Sequence, residues 1–313
     1  MKNFDELLDL IKDKPVRTIA VAAADDHSVI EAAHLARQAN IARTILIGRK
    51  DGILQKAAKI NFSIDAKDVI DEPDDIRAAV RAVALTASGK ADIVMKGYIH
   101  TDDYLRAVLQ RETGLRSGVV MSHVFIIEVP EFDRFVFITD GAMNIAPDLQ
   151  QKAEIILNAV HLANLFGVKK PKVAVLGAVE LVNPNMPATL DAAVLAKMSN
   201  RSQFRPEVEI DGPFALDNAI SQIAAKHKGI SGAVAGLADV LMVPDIEAGN
   251  MLAKSLVYFG HYRLAGVLVG AAAPVVLTSR ADSAESKMLS MAAAVMMVTA
   301  QRLLRLKIGK LHY

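Results

Sequence analysis

The chain has 313 residues, more than one ordinary core needs and enough for two α/β domains. Hydrophobic residues make up 52% and charged residues 23%, a balance that supplies a sizeable core and argues against disorder. The net charge of +1 argues against a general electrostatic grip on nucleic acid or acidic membranes, and the absence of Cys excludes disulfides, Cys-ligated zinc and a cysteine nucleophile.

From the N-terminus, Met1 to Lys14 is charged and amphipathic, without the continuous apolar core of a signal peptide. Short β-branched runs then alternate with longer amphipathic segments. Strands are predicted at 18–22, 44–47, 93–95, 135–138, 173–176, 240–243 and 275–277. Helices are predicted at about 28–38, 76–86 and 148–166, the last closed by Gly167. This alternation implies parallel sheets covered by helices, an α/β fold. The most apolar stretch, 264–277, contains Gly and Pro and falls short of the roughly 20 residues that span a bilayer. The expectation is a soluble, cytoplasmic protein that does not engage membranes. Breaks near 114–122 and 266–273 divide the chain into a first, discontinuous α/β domain (1–118 plus 270–313) and a second (119–269), with the site expected in the cleft between them.

Three segments combine Gly or hydroxyl residues with charge just after a predicted strand, where α/β folds bind ligands. The first, KGYIHTDDYLR (96–106), holds Lys96, His100, Thr101 and Arg106. Here Gly97 permits a close turn, and Thr101 or Asp102 can cap a helix whose free N–H groups would face an anion. The second segment, PVVLTSRADSAESK (274–287), offers the hydroxyls of Thr278 and Ser279 and the planar donor fork of Arg280 ahead of a helix starting near Ser283. A plainer reading makes Asp282 and Glu285 a capping box with Arg280 solvated. The third, VPDIEAGNMLAK (243–254), carries Asp245, Glu247 and Asn250; two carboxylates without a His make a weak metal motif. TDGAMN (139–144), with Asp140 and Asn144, suits a cleft wall or an ordinary turn, and DGPFALD (211–217) is expected as a turn that buries Phe214 or presents Asp217. No HExxH, Walker A or GxGxxG pattern is present, so zinc, ATP and NAD have no fingerprint.

The stretches ADIVMKGYIHTDDYLRAVL, FITDGAMNIAPDL, DGPFALDNAIS, VPDIEAGNMLAKSL and VLTSRADSAESK resemble, in order, blocks of the phosphate acetyl/butyryltransferase family. The resemblance covers most of the chain from Ala91 to Met297. It implies an isocitrate/isopropylmalate dehydrogenase-like fold of two α/β/α domains, usually in a homodimer or higher homo-oligomer. It also implies the reaction of acyl-CoA with phosphate to give acyl phosphate and coenzyme A, with CoA as substrate and no tightly bound cofactor or metal. Ser279, Arg280 and Arg106 match the family's catalytic serine–arginine pair and helix arginine. Acetyl-specific members carry an Asp, proposed as general base, seven residues after the serine; Ser286 stands there, beside Glu285. They also have a helical insertion ahead of the first block that is not evident here. Both differences make butyryl-type members the closer match.

The residues expected to act are therefore Ser279, Arg280, Arg106 and Glu285. Lys96, His100, Thr101, Thr278, Asp140, Asn144 and Asn250 are expected to bind substrate. Competing readings are a phosphate acetyltransferase, a non-catalytic sensor of acyl-CoA or acyl phosphate, and a metal- and NAD(P)-dependent dehydrogenase of the same fold, which would need a carboxylate trio.

Overall fold

The computed structural model describes residues 1–304 and 309–312; the remainder of the expected 270–313 segment lies outside them. The strands are β1 (Arg17–Ala22), β2 (Ala42–Gly48), β3 (Val69–Asp71), β4 (Ile93–Lys96), β5 (Ser122–Glu128), β6 (Phe135–Thr139), β7 (Lys172–Leu176), β8 (Phe204–Arg205), β9 (Glu209–Phe214), β10 (Val240–Met242), β11 (Leu264–Val269), β12 (Val275–Val276) and β13 (Lys310–Leu311). The α-helices are α1 (Phe4–Ile11), α2 (His27–Gln38), α3 (Lys50–Lys59), α4 (Asp75–Ala87), α5 (Thr101–Val108), α6 (Leu149–Leu165), α7 (Pro187–Asn200), α8 (Leu216–Ile220), α9 (Gln222–His227), α10 (Ile246–Tyr258) and α11 (Ala284–Leu304).

Contacts divide the chain into two compact units. One comprises Phe4–Val119 and Leu264–Leu304. In it the strands run β3-β2-β1-β4-β12-β11, parallel except for the antiparallel β11–β12 pair. The other comprises Met1–Asn3, Val120–Arg263 and the C-terminal end, and its strands run β5-β6-β10-β7-β9. There β5 pairs antiparallel with β6 and the rest are parallel.

The central strands are Val-, Ile- and Ala-rich and buried along nearly their whole length, as strands covered on both faces by helices must be. Helix starts carry the expected chemistry. Asp26, Asp74 and Asp245 accept main-chain N–H bonds at the heads of α2, α4 and α10, and Asp148 with Gln151 forms a capping box on α6. Gly167, at φ +91°, follows α6 in the left-handed region that a side chain disfavours. Sequence periodicity left β5 and β11 unassigned. Both are strands, each with an antiparallel partner (β6 and β12). The 211–217 segment expected as a turn is largely the end of β9, with Phe214 buried. Among the described residues no helix is long and apolar enough to cross a membrane.

Candidate active site

Two loops 182 residues apart meet because β4 and β12 lie side by side and parallel, Val275 beside Val94 and Val276 beside Met95. Their carboxyl ends therefore release Lys96 and Thr278 next to each other. After β4 the chain folds tightly back on β1: the N–H groups of Gly97 and Tyr98 donate to Ala22 O and Ala23 O at 2.8 and 2.9 Å. A Cβ at Gly97 would sit 2.3 Å from Ala22 O, so only glycine allows this approach.

After β12 the turn of Ser279 to Asp282 is fixed by its own polar groups. Ser279 N–H donates to Asp282 Oδ2 at 2.7 Å, and Asp282 N–H to Ser279 O at 3.2 Å. Ser283 then caps α11, its Oγ accepting from Ser286 N–H at 3.1 Å. The capping box of Asp282 with Glu285 does not form, because Asp282 is engaged inside the turn; Glu285 stays exposed in the first turn of α11. At α5 the expected cap also moves. His100 holds that position, with no side-chain bond, because Tyr104 N–H already bonds to His100 O.

Cations collect at this turn. Lys96 is 1% exposed and donates to Gly97 O and Thr278 O, both at 3.4 Å. Burial, with repulsion from Arg280 and Lys287, lowers its pKa to about 8 against the opposing pull of Asp282. Lys287, equally buried, donates to Asp282 O at 2.5 Å and Arg280 O at 3.4 Å. Arg280 is exposed. Its terminal nitrogens lie 3.5 Å from the His100 ring nitrogens and its guanidinium carbon lies 5.7 Å from the Tyr98 ring centroid. No carboxylate lies within 4 Å of the Arg280 guanidinium among the described residues. The buried Thr278 hydroxyl has no hydrogen-bond partner. Cationic groups, an unmatched hydroxyl and the head of a 21-residue helix thus surround one turn, an arrangement that favours an anion.

Not every expected residue joins it. Arg106 lies in the last turn of α5 with its guanidinium paired to Asp103 at 2.9 Å, and no hydrogen bond or ion pair links it to Ser279 or Arg280. Thr101 is the first residue of that helix. In the other unit, the Asp140 carboxylate accepts bonds from the N–H groups of Ala142, Met143 and Asn144 and from the Asn144 side chain. Asn144 also donates to Met121 O, and Asn250 to Gly141 O. Asp245 caps α10, and among the described residues no group of three or more His, Asp or Glu could hold a metal ion. Sequence reasoning missed Lys287 and Tyr98. Lys287, just ahead of the apolar run MLSMAAAVMM, carried no local signal, because a cation in the first turn of a helix reads as solvated.

A mixed α/β chain with a cation-rich turn between a strand and a long helix is the class defined so far. A family model described as "Phosphate acetyl/butaryl transferase" matches residues 65–295. The phosphate butyryltransferase of Clostridium acetobutylicum is 48% identical over 95% of this chain and 98% of its own length. The phosphate acetyltransferase of Thermotoga maritima is 42% identical over 92% and 97%. Among solved structures, a branched-chain phosphotransacylase from Enterococcus faecalis superposes with a TM-score of 0.79 at 34% identity, covering 90% of this chain and 99% of that one. The chain belongs to the phosphate acetyl/butyryltransferase family and is a phosphate acyltransferase.

Proposed function

We propose that the enzyme exchanges a short acyl group, with butyryl preferred, between coenzyme A and inorganic phosphate by direct attack of phosphate on the thioester in a ternary complex. The observation that carries this reading is the exposed Arg280 guanidinium, held without a carboxylate partner at the head of α11 beside Lys96 and Lys287. Inorganic phosphate loses its second proton close to neutrality, so a substantial share is the dianion at neutral pH and needs little activation. The demanding tasks are placing it beside the acyl carbon and stabilising charge on the carbonyl oxygen. Placement contributes roughly 7–11 kcal/mol and each aimed donor about 3 kcal/mol.

In this reading Arg280 binds phosphate or acyl phosphate, and Arg106 exchanges its exposed bond with Asp103 for the same ligand, a weak pair to give up. Ser279, with Thr278 behind it, donates to the developing oxyanion. The CoA thiolate, with a pKa near that of a free thiol (about 8.5), leaves with modest help. Glu285 or His100 serves as acid or base. CoA is substrate and product rather than a resident cofactor. Self-association is supported by exposed apolar residues at α7, Leu190 and Val194 one turn apart on the helix and Met186 at its N-cap.

The experiment is phosphate-dependent thiol release from acetyl-, propionyl-, butyryl- and isobutyryl-CoA measured side by side. Butyryl-CoA is expected to give the highest kcat/KM. A preference for acetyl-CoA would select the acetyltransferase reading, and no phosphate dependence with any ester would reject the reaction. Glu285→Gln is expected to remove one limb of the pH–rate profile; an unchanged profile withdraws its acid–base role.

A further inference from the structure

Three lysines are buried among the described residues: Lys96, Lys152 and Lys287. Lys152 has an ordinary reason, a 2.6 Å pair with Asp191. Lys287 has none. No carboxylate lies within 4 Å of it among the described residues, and its ammonium bonds only to the main-chain carbonyls of Asp282 and Arg280. Its neighbours Met288, Leu289 and Met291 show that an apolar side chain is accommodated in this stretch of α11. Desolvating an ammonium costs several kcal/mol, so a lysine here needs a reason other than stability.

The groups facing it are Asp282 and, from the head of α2, Asp26, whose attraction partly offsets the burial that lowers its pKa; Lys96 adds repulsion. What Lys287 holds is direction. A peptide unit is planar and its carbonyl and N–H point to opposite sides. Fixing the Asp282 carbonyl therefore fixes the Ser283 N–H, which has no protein acceptor among the described residues. Fixing the Arg280 carbonyl orients the peptide unit that follows the Arg280 Cα, the atom that carries the guanidinium side chain. We propose that Lys287 is a positioning residue for phosphate, tying down the carbonyls of Arg280 and Asp282 so that the Arg280 side chain and the free N–H at the head of α11 converge on one anion. The proposal rests on the reading that this turn binds phosphate.

The test is steady-state kinetics with butyryl-CoA and inorganic phosphate on Lys287→Met, which keeps the volume and removes the donors. The phosphate KM is expected to rise about tenfold or more and kcat to fall, with the butyryl-CoA KM within about twofold of wild type and the melting temperature not lowered. Wild-type phosphate KM and kcat, or equal losses toward both substrates with a lowered melting temperature, would overturn it. If the Met variant fails to fold, Lys287→Arg carries the same comparison, because it keeps charge and donors while altering reach. A change confined to phosphate is again expected, and its absence overturns the proposal. Arg280→Ala is measured alongside. If that variant keeps its phosphate KM and kcat, the reading of the turn itself fails; if it loses them while Lys287→Met does not, only the role of Lys287 fails. Lys152→Met, which strands a carboxylate, is expected to lower stability and leave the phosphate KM unchanged.

Discussion

Two turns in this molecule look alike in sequence and differ in what they leave unbonded. Residues 139–144 and 278–283 each follow a strand and each contains an aspartate with small polar neighbours. In the first, Asp140 accepts four bonds from its own loop, and Gly249 of α10 packs so closely that an added Cβ would lie 2.7 Å from Asp140 O. In the second, two buried ammonium groups from outside the turn occupy its carbonyls, the Thr278 hydroxyl has no partner, and the Arg280 guanidinium meets the His100 ring rather than a carboxylate. A turn whose aspartate is saturated by its own loop reads as scaffold, whereas one whose carbonyls are filled by buried cations and whose guanidinium faces no carboxylate suits an anion.

The sharpest way to break this contrast is at Arg280. Arg280→Ala is expected to lose at least about a hundredfold in turnover with unfolding unchanged, and Arg106→Ala a similar factor if it reaches the same phosphate. Near-normal turnover in either purified variant would remove that residue from the reaction. Asp140→Ala should do the opposite, losing about 3 kcal/mol in denaturant unfolding because main-chain donors lose a buried acceptor, with less change in phosphate KM. A normally stable variant with a raised phosphate KM would support the expected substrate-binding role of Asp140.

Lys96→Met probes the charge beneath the contrast. With its pKa lowered to about 8, the folded protein binds fewer protons than the unfolded chain between that value and the ordinary 10.5. Wild-type stability should therefore rise with pH across that window, by up to roughly 3 kcal/mol from this group. The variant should lack the rise and be the more stable protein near neutrality, which pH-dependent chemical unfolding would show. The wild-type phosphate KM should climb as pH passes about 8, where Lys96 loses its charge, and the variant should show less of that climb. The smallest effect is expected from Ser283→Ala, about 1 kcal/mol for the lost cap on α11, read as a lowered melting temperature.

Much of the frame was legible in the chain. Runs such as 18–22 and 173–176 are β-branched and bounded, and they form strands because such side chains suit a pleated surface buried on both faces. The start of α6 at Asp148 and its close at Gly167 follow from capping chemistry that acts over three or four residues. The pairing of Arg106 with Asp103 was likewise implicit in an i,i+3 spacing. The β11 run resisted assignment because a continuous apolar stretch has no periodicity to read.

Local sequence thus determined where strands end, where helices begin, and that Ser279 and Arg280 stand at such a junction. It could not determine that Lys96 would lie beside Thr278, because that depends on parallel pairing of β4 with β12 across most of the chain. Nor could it mark Lys287, which at the head of a helix reads as a solvated charge. Only the packing of α11 against α2 and β11 makes that position interior. Hydrogen-bonding preferences of a few neighbouring residues are written along the chain, whereas burial and register are properties of surfaces that exist only once distant segments have met.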